Sequence, residues 1–326
     1  MRSRKAFVTG ASGFIGTHLV EELLRQDWKV GVLLHKRPMT ARENLQVFHG
    51  DIRDAAILED MLAGAEVLFH LAAALGATQI KSREFFQINA QGVTNVLKAA
   101  GKAGVKRVVH FGSAGVLGSV KENKAVGEDY PARPIEIYDK SKLAGEDAAL
   151  RYAKEGMDVV VVRPGWAYGP GDRRTFKLIK AVARKRFILV TKGETRLTPV
   201  HIQDLIQGIL LCVEKAQSGE IYHLAGPEVL SVREVVHMIG EAAGVRIPGI
   251  SIPLFPAKIA AWSMEKAFGL FKKEAPLTMG KLGFFIHPKP LAIRKAREEL
   301  GYSPARDFRQ GIRTTISWYR DNGWLS

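Results

Sequence analysis

Two side chains capable of acid–base chemistry, Tyr138 and Lys142, lie four residues apart in the segment YDKSKLAGEDAALRYAKEG. The segment has a helical pattern, so residues four apart share one face of the helix. A phenol with its ordinary pKa near about 10 exchanges protons poorly at neutral pH. Because a neighbouring ammonium favours the phenolate, the spacing predicts that the pKa of Tyr138 is lowered towards neutrality. Tyr138 would then exchange a proton with a substrate oxygen.

Ser113 is the candidate partner of this pair. It follows the apolar strand-like run VKRVVHFGSA, one segment before the helix of Tyr138. A hydroxyl at that strand end would hydrogen-bond the same substrate oxygen and stabilise the charge that develops on it. An ordinary loop serine is the alternative interpretation.

Three glycines, Gly10, Gly13 and Gly16, are spaced three residues apart in FVTGASGFIG, between a strand-like and a helix-like run. Gly10 permits a tight turn, Gly13 lets the backbone approach a pyrophosphate, and Gly16 lets the helix pack on the sheet. Backbone N–H groups at the start of the helix would face the phosphates. A glycine triplet alone is weak evidence for a nucleotide site, but its position between a strand and a helix predicts a dinucleotide-binding loop.

The end of the second strand indicates which dinucleotide is bound. An acidic side chain there would bind the adenosine ribose 2′-hydroxyl, but VLLHKRP carries His35, Lys36 and Arg37. These side chains suit a 2′-phosphate, so the prediction is NAD(P)(H), favouring NADP(H); an exposed basic turn is the alternative. After the next short strand, HGDIRD places Asp51 and Ile52 where the carboxylate would accept from the adenine amino group.

The elements that must position these residues alternate between strand-like and helical patterns. Strand-like runs are KAFVTG, KVGVLLH, LQVFHG, AEVLFHLAA, VKRVVHFGSA and MDVVVVRPG. This alternation predicts an α/β fold with a doubly wound parallel sheet, the Rossmann arrangement. We expect residues 1–164 to form the dinucleotide-binding domain, with 200–225 returning to it. Residues 165–199 and 226–326 would form a smaller interleaved α/β substrate domain.

Composition indicates an ordinary globular protein of 326 residues, 46% hydrophobic and 25% charged. Cys212 is the only cysteine, which excludes an internal disulfide, and its apolar surroundings favour a buried structural thiol. We expect a reducing, cytoplasmic setting, with neither a signal peptide nor a membrane-spanning helix. None of the histidines has metal-ligand spacing, so no metal site is expected.

The formal charge of +15 is concentrated in the second half. Residues 165–326 carry 25 basic and 14 acidic side chains, a net charge of 25 − 14 = +11, and much of the excess lies in residues 172–196. A solvated face, an anionic substrate and an acidic surface such as lipid all remain possible. Because no aromatic-rich basic groove accompanies the charge, nucleic acid is not expected as a partner.

The order of TGASGFIG, GDIRD, HLAA, INAQGVTNVLKAA and YDKSK, followed by VRPGWAYGPGD, resembles the extended short-chain dehydrogenase/reductases over nearly the whole chain. This superfamily contains the NAD-dependent epimerases and dehydratases, 3β-hydroxysteroid dehydrogenases and dihydroflavonol reductases. The resemblance implies a homodimer, a catalytic role for Ser113 and for Asn89 of the central helix, and a bond from Lys142 to the nicotinamide ribose. A mid-helix asparagine that only bonds backbone or water is the alternative for Asn89. The implied cofactor contacts, besides His35 to Arg37, Asp51 and Ile52, are Gly10, Ser12, Gly13, Phe14, Ile15, Gly16, Leu71, Ala72, Ala73, Tyr138, Lys142 and Pro164.

Departures from the sugar-nucleotide members bear on the substrate. Many of them have Ser or Thr two residues after the catalytic serine and Tyr at the fourth position, where this chain has Gly115 and Leu117. These differences disfavour a UDP-sugar and bring the chain closer to the steroid dehydrogenase and dihydroflavonol reductase branches.

The segment PLFPAKIAAWSMEKAFGLF is apolar over a wide arc formed by Phe255, Ile259, Trp262, Phe268 and Phe271. Such a helix would cap an apolar substrate, belong to the domain core, or lie on a membrane surface. On a membrane, the side chains that snorkel to the headgroups would be Lys258, Lys266, Lys272 and Lys273.

Three functions follow. The first is an NADP(H)-preferring oxidoreductase that interconverts a secondary alcohol and a ketone on a mainly apolar substrate, with an anionic group on that substrate left open. The second is a sugar-nucleotide epimerase or dehydratase that retains its cofactor, favoured by the basic segment at 172–196. A non-catalytic nucleotide sensor is the third, disfavoured because Ser113, Tyr138 and Lys142 are all present.

Overall fold

The computed structural model describes residues 4–35, 37–75, 80–121, 124–270, 275 and 277–325. Lys36 of the predicted cofactor site lies outside the described residues, as do Phe271, Lys272 and Lys273 of the C-terminal helical segment.

The strands, in chain order, are β1 (Lys5–Thr9), β2 (Lys29–Leu34), β3 (Leu45–His49), β4 (Val67–His70), β5 (Arg107–Phe111), β6 (Val159–Pro164), β7 (Trp166–Tyr168), β8 (Leu189–Val190), β9 (Arg196–Leu197), β10 (Pro199–His201), β11 (Ile221–Leu224), β12 (Leu230–Ser231) and β13 (Ser251–Ile252). The α-helices are α1 (Phe14–Arg25), α2 (Ala55–Leu62), α3 (Ser82–Phe86), α4 (Gly92–Lys102), α5 (Ile137–Lys154), α6 (Arg173–Ala183), α7 (Ile202–Lys215), α8 (Val232–Ala243), α9 (Leu254–Leu270), α10 (Met279–Ile286) and α11 (Phe308–Asp321). A π-helical turn, Gln87–Gln91, joins α3 to α4, and a 3₁₀ turn, Ala114–Leu117, follows β5.

Seven strands form one sheet in the order β11-β6-β5-β4-β1-β2-β3, and all neighbours in it run parallel. The chain starts at β1, builds outward through β2 and β3, and then returns to the other side of β1 with β4. The strand order therefore reverses between β1 and β4, and ligands of such sheets bind beyond the carboxyl ends of the strands at this point. The predicted doubly wound α/β fold is confirmed.

The β6 sequence VVVVRP shows why the sheet is covered on both faces. Val160 and Val162 belong to one apolar cluster with residues of α1 and α7, whereas Val159 and Val161 belong to another with residues of α2, α4 and α5. Alternate side chains of a strand point to opposite faces, so an uninterrupted apolar run is the pattern of a strand buried on both. Cys212 of α7 is fully buried in the first cluster, which confirms the expected buried thiol.

Beyond β6 the chain leaves the large sheet and returns to it once. β10 pairs with β7 outside the sheet, α7 then packs against the sheet, and β11 pairs with β6 at its edge. Helices α6, α8 and α11 pack around a third apolar cluster, and α9 packs with α10 around a fourth. The division into a dinucleotide-binding and a substrate domain stays a prediction. None of the described helices is long and apolar enough to cross a membrane.

Candidate active site

The glycine loop is a tight turn between β1 and α1. Gly10 has a φ of +73° and lies so close to β4 that a Cβ would stand 2.7 Å from the backbone nitrogen of Ala72. A Cβ on Gly16 would collide with the Gly10 carbonyl and lie 2.8 Å from the Ala11 Cα. Gly13 precedes the first turn of α1, and no side chain caps the N–H groups of that turn. The loop therefore presents uncapped N–H groups beside three positions that carry no side chain, as a pyrophosphate site requires.

The end of β2 carries exposed cationic side chains beside one carboxylate. The His35 imidazole lies 3.3 Å from the Asp51 carboxylate, and both His35 and Arg37 are exposed. Arg53 also binds Asp51, at 2.6 Å, and this hydrogen-bonded guanidinium lowers the pKa of the Asp51 carboxyl. Ile52 is buried next to Gly92 of α4. Asp51 is thus held by Arg53 and His35, at the edge where an adenosine was expected.

Asn89 sits in the π-helical turn and is fully buried. Its amide oxygen accepts from the Ala74 N–H at 2.7 Å, and its amide nitrogen donates to the Ala74 carbonyl at 3.1 Å and to the Ser141 hydroxyl at 2.9 Å. The Ser141 hydroxyl in turn donates to the Tyr138 carbonyl at 2.7 Å. Asn89 therefore connects the segment after β4 to the backbone of α5, and these bonds occupy its amide on both sides.

The Ser113 hydroxyl lies next to the Tyr138 phenol, close enough to lower the pKa of the phenol slightly. Ser113 begins the turn that follows β5, and Tyr138 lies in the first turn of α5. The Gly115 N–H donates to the Ser113 Oγ at 3.0 Å, which fixes this hydroxyl at the carboxyl end of the sheet. Two hydroxyl donors at the carboxyl end of the sheet would be able to hydrogen-bond one substrate oxygen as charge develops on it.

The electrostatics of Tyr138 and Lys142 differ from the sequence expectation. Burial raises the pKa of Tyr138 to about 12, against smaller opposing effects of the Arg174 charge and the neighbouring Ser113 hydroxyl. Lys142 is buried and donates to the Phe111 carbonyl, and burial lowers the pKa of its ammonium to about 8. The expected lowering of the Tyr138 pKa by Lys142 is therefore not seen. Spacing placed the two residues on one face of α5, but desolvation dominates the phenol and the ammonium is directed at the strand.

A buried ion pair between Glu146 and Arg163 holds the backbone of Ser113 in place. Arg163 of β6 donates from Nε at 2.9 Å and from Nη2 at 2.8 Å to one oxygen of Glu146 in α5. The other oxygen of Glu146 accepts the Ser113 N–H at 3.0 Å. Sequence reasoning missed this pair, although Glu146 follows Lys142 by four residues on the same helical face and Arg163 interrupts an apolar strand.

Asp139, the residue after Tyr138, was also missed. It is buried, its carboxylate forms an ion pair with Lys289 at 3.5 Å, and burial raises its pKa. A Cβ on Gly115 would collide with the Asp139 carboxylate. The glycine at 115 thus has a steric reason: in this chain the carboxylate fills the space that a side chain at 115 would need. No short-range signal could have found this contact, because its two residues come from different segments.

Apolar side chains lie next to Tyr138 and along the neighbouring helix α10, and we call them the apolar rim. Phe85 packs edge-on against Tyr138 with ring centroids 6.3 Å apart, and Trp166 packs against Phe284 of α10 at 5.6 Å. α10 lies next to the start of α5, where a Cβ on Gly283 would stand 3.4 Å from the Glu136 carboxylate. The remaining members, Phe86, Ile137 and Phe284 itself, are exposed by 38%, 37% and 37%. Such surface would favour an apolar ligand.

Comparison with known proteins shows which protein family the chain belongs to. The profile of the NAD-dependent epimerase/dehydratase family matches residues 6–225. The chain belongs to this family. The resemblance to the extended short-chain dehydrogenases is thereby confirmed, and the protein is an NAD(P)-dependent dehydrogenase, reductase or epimerase of that type.

Relatives within the family differ in their reactions. The chain is 29% identical over 316 residues to 4-hydroxy-2-methyl-3-oxo-4-farnesyl-3,4-dihydroquinoline-1-oxide ketoreductase of Stigmatella aurantiaca, with 94% of each chain covered. It is 28% identical to a putative dihydroflavonol 4-reductase of Synechocystis, with 98% of this chain and 95% of the relative covered. The solved structure of dTDP-glucose 4,6-dehydratase from Streptomyces venezuelae with NAD bound superimposes with a TM-score of 0.79, at 28% identity and 99% coverage of both chains. Reductases and a dehydratase are thus equally related to it.

The family cofactor NAD(H) fits the residues present. Gly10 and Gly16 leave no room for a Cβ, and the uncapped first turn of α1 supplies N–H donors at the reversal point of the sheet. Ser12, Phe14 and Ile15 lie in this loop and turn, Leu71, Ala72 and Ala73 follow β4, and Pro164 ends β6. All of these residues lie at the carboxyl ends of strands of the large sheet, where a dinucleotide would bind. In the described part of the chain no three His, Cys, Asp or Glu side chains cluster as metal ligands.

Proposed function

We propose that this protein is an NADP(H)-preferring oxidoreductase that interconverts a secondary alcohol and a ketone on a small, largely apolar substrate. The observation that carries the proposal is the placement of the Ser113 hydroxyl next to the Tyr138 phenol at the carboxyl end of the sheet, beside the apolar rim. Ser113, Tyr138 and Lys142 are the catalytic residues of the proposal.

When bound, the cofactor supplies or accepts a hydride at the substrate carbon. The chain's own task is to handle the proton on the substrate oxygen. With a pKa of about 12, the Tyr138 phenol keeps its proton at neutral pH, which is the form that protonates a carbonyl oxygen during reduction. Ser113 holds the same oxygen and stabilises its developing charge. The site in this state is therefore poised for ketone reduction.

Lys142 and Asn89 have supporting roles in the proposal. The buried Lys142 ammonium donates to the Phe111 carbonyl and would bond the cofactor ribose through its remaining N–H groups. In the described structure the Asn89 amide bonds the Ala74 backbone and the Ser141 hydroxyl, and it makes no hydrogen bond to the side chains of Ser113, Tyr138 or Lys142. We therefore assign it a positioning role on α5, through Ser141 and the Tyr138 carbonyl.

The preference for NADP(H) rests on charge at the end of β2. His35 and Arg37 are exposed there, and Arg53 lies close by on Asp51. A ribose 2′-phosphate would pair with the guanidiniums of Arg37 and Arg53. Asp51 is already bound by Arg53 and His35, so it is a poor free acceptor for a 2′-hydroxyl.

A second candidate is a sugar-nucleotide epimerase or dehydratase with retained cofactor. The observation in its favour is Arg174, an exposed residue in the first turn of α6 whose charge acts on the Tyr138 phenol. A guanidinium there would suit the diphosphate of a sugar nucleotide.

One experiment separates the two candidates. Purified protein is denatured, the supernatant is assayed for released nicotinamide cofactor, and native protein is offered NADPH with a panel of apolar ketones. We expect little retained cofactor and ketone-dependent NADPH oxidation. Tyr138→Phe should lower this turnover by about 100-fold or more while NADPH binding is unchanged. Tightly held NAD, with conversion of dTDP- or UDP-glucose and no ketone reduction, would instead establish the second candidate.

A further inference from the structure

Helix α9 exposes three large apolar side chains on one face. Phe255, Ile259 and Trp262 are exposed by 74%, 51% and 59%. Their spacing of four and three residues places them in one stripe along the helix. The opposite side of α9 is occupied, because Ala257 and Ala261 are buried against Val190 and Leu282.

Positive charge accompanies this stripe. Lys258 and Lys266 are exposed on the same side of the helix, and neither has an ion pair with any residue of the described structure. Glu265, the acidic neighbour, is half-buried and accepts the Met279 N–H at 3.3 Å. We call Phe255, Ile259, Trp262, Lys258 and Lys266 the α9 face.

The neighbouring strand ends extend both properties. Ile250, just before β13, is exposed by 56%, and Ile188, just before its partner strand β8, is exposed by 48%. The Ile250 carbonyl accepts the Leu189 N–H. The turn before β8 is also basic and exposed, with Arg184, Lys185 and Arg186. β8 adjoins α9 through Val190. Apolar and basic side chains are thus combined over one region of the surface.

We propose that the α9 face binds an anionic lipid bilayer. Phe255, Ile259 and Trp262 enter the boundary between headgroups and acyl chains, and the two lysines reach lipid phosphates while their stems stay in apolar contact. An amphipathic helix with aromatic and aliphatic residues on one face and flanking lysines is the composition that interfacial binding requires.

The positive charge of the α9 face favours an anionic bilayer over a second copy of the chain as its binding partner. Pairing the α9 face with itself would oppose the same lysines, on a half of the protein with a net charge of +11. Like charges across an interface are unfavourable, whereas an anionic bilayer complements them. The α9 face also adjoins the apolar rim through α10, which packs on α9 by Leu282 and carries Phe284.

The test uses the full-length protein and needs no turnover, so its result is independent of the proposed function. Co-sedimentation compares vesicles of phosphatidylcholine alone with vesicles containing about a third phosphatidylglycerol. We expect binding to the anionic vesicles at low salt, loss of binding at high salt, and a blue shift of tryptophan fluorescence that Trp262→Phe removes.

Helix α9 offers its own control. Ile259→Ser should weaken vesicle binding by about tenfold, whereas Met264→Ser, at an exposed position on the opposite side of α9, should leave it unchanged. Lys258→Glu with Lys266→Glu should abolish the preference for anionic lipid. Circular dichroism verifies that each variant is folded.

Three results would overturn the proposal. One is no binding of the wild-type protein to anionic vesicles at low salt, and another is an equal effect of Ile259→Ser and Met264→Ser. The third is a dimer that dissociates on Ile259→Ser without vesicle binding, which would assign the α9 face to a second copy.

Discussion

Arg163 donates two hydrogen bonds to a single oxygen of Glu146, at 2.9 and 2.8 Å, in a part of the protein where both side chains are almost fully buried. The other oxygen of Glu146 holds the Ser113 N–H. This pair joins β6, α5 and the turn that carries Ser113.

Removal of the Glu146 charge should destabilise the protein strongly. Glu146→Gln leaves the Arg163 guanidinium buried without its counter-ion, and we expect the free energy of unfolding to fall by about 3 to 5 kcal/mol. Urea denaturation followed by circular dichroism measures the change. The double variant Glu146→Gln with Arg163→Met should recover a large part of the loss, because no charge is then left unpaired. A single-variant loss below about 1 kcal/mol would contradict the structural role of the pair.

Asn89 should affect turnover through the position of α5. Asn89→Asp replaces an amide donor by a carboxylate oxygen facing the Ala74 carbonyl, so we expect a loss of about 2 to 3 kcal/mol in stability and a reduced kcat. Asn95→Asp is the matched control, since Asn95 donates to the Ile52 and Arg53 carbonyls away from Ser113 and Tyr138. It should lower stability with kcat intact. Equal kcat in the two variants would argue against the positioning role.

Arg174 should influence the pH dependence of alcohol oxidation. This direction requires Tyr138 as phenolate, and the Arg174 charge lowers the pKa of that phenol. Arg174→Gln raises the pKa, so the rise of kcat/KM with pH should move to higher pH. Arg173→Gln is the control, because that guanidinium lies 5.6 Å over the Trp324 ring. Identical profiles for wild type and Arg174→Gln would remove Arg174 from the site.

Arg37 should distinguish the two dinucleotides. Arg37→Ala removes an exposed cation at the end of β2, and we expect about tenfold weaker NADPH binding with NADH binding unchanged. Isothermal titration calorimetry measures both affinities. Arg42→Ala, which only breaks an exposed pair with Glu21, should change neither. Equal affinities of the wild-type protein for NADPH and NADH would defeat the proposed preference.

Buried histidines should make the protein sensitive to acid. His110 is fully buried, 5.3 Å from the His70 ring, and burial lowers its pKa well below the ordinary value of 6.5. Below pH 6.5 the unfolded chain binds a proton at this histidine that the folded chain does not, so stability falls as pH decreases. His110→Phe removes this proton-binding site from the unfolded chain. The free energy of unfolding of the variant should therefore fall less steeply with decreasing pH, by about 1.4 kcal/mol per pH unit. His237→Phe, at an exposed position, serves as control in the same denaturation series, and an unchanged slope for His110→Phe would refute the assignment.

Much of the fold was predictable because its signals are local. The VVVV run of β6 could only belong to a strand covered on both faces, and Gly10, Gly13 and Gly16 stand between a strand and a helix, where backbone crowding excludes side chains. The spacing of Tyr138 and Lys142 likewise placed them on one helical face.

Periodicity and short motifs are encoded over a few neighbouring residues, so they were enough to predict the layered α/β fold, the family and the candidate catalytic side chains. The environment of these side chains is set by the tertiary structure. It directed Lys142 to the Phe111 carbonyl, set the Asp139 carboxylate against Gly115, and buried Glu146 with Arg163. Desolvation and ion pairing depend on segments far apart in the chain, and the helical period of α9 did not reveal that its apolar stripe would remain exposed to solvent.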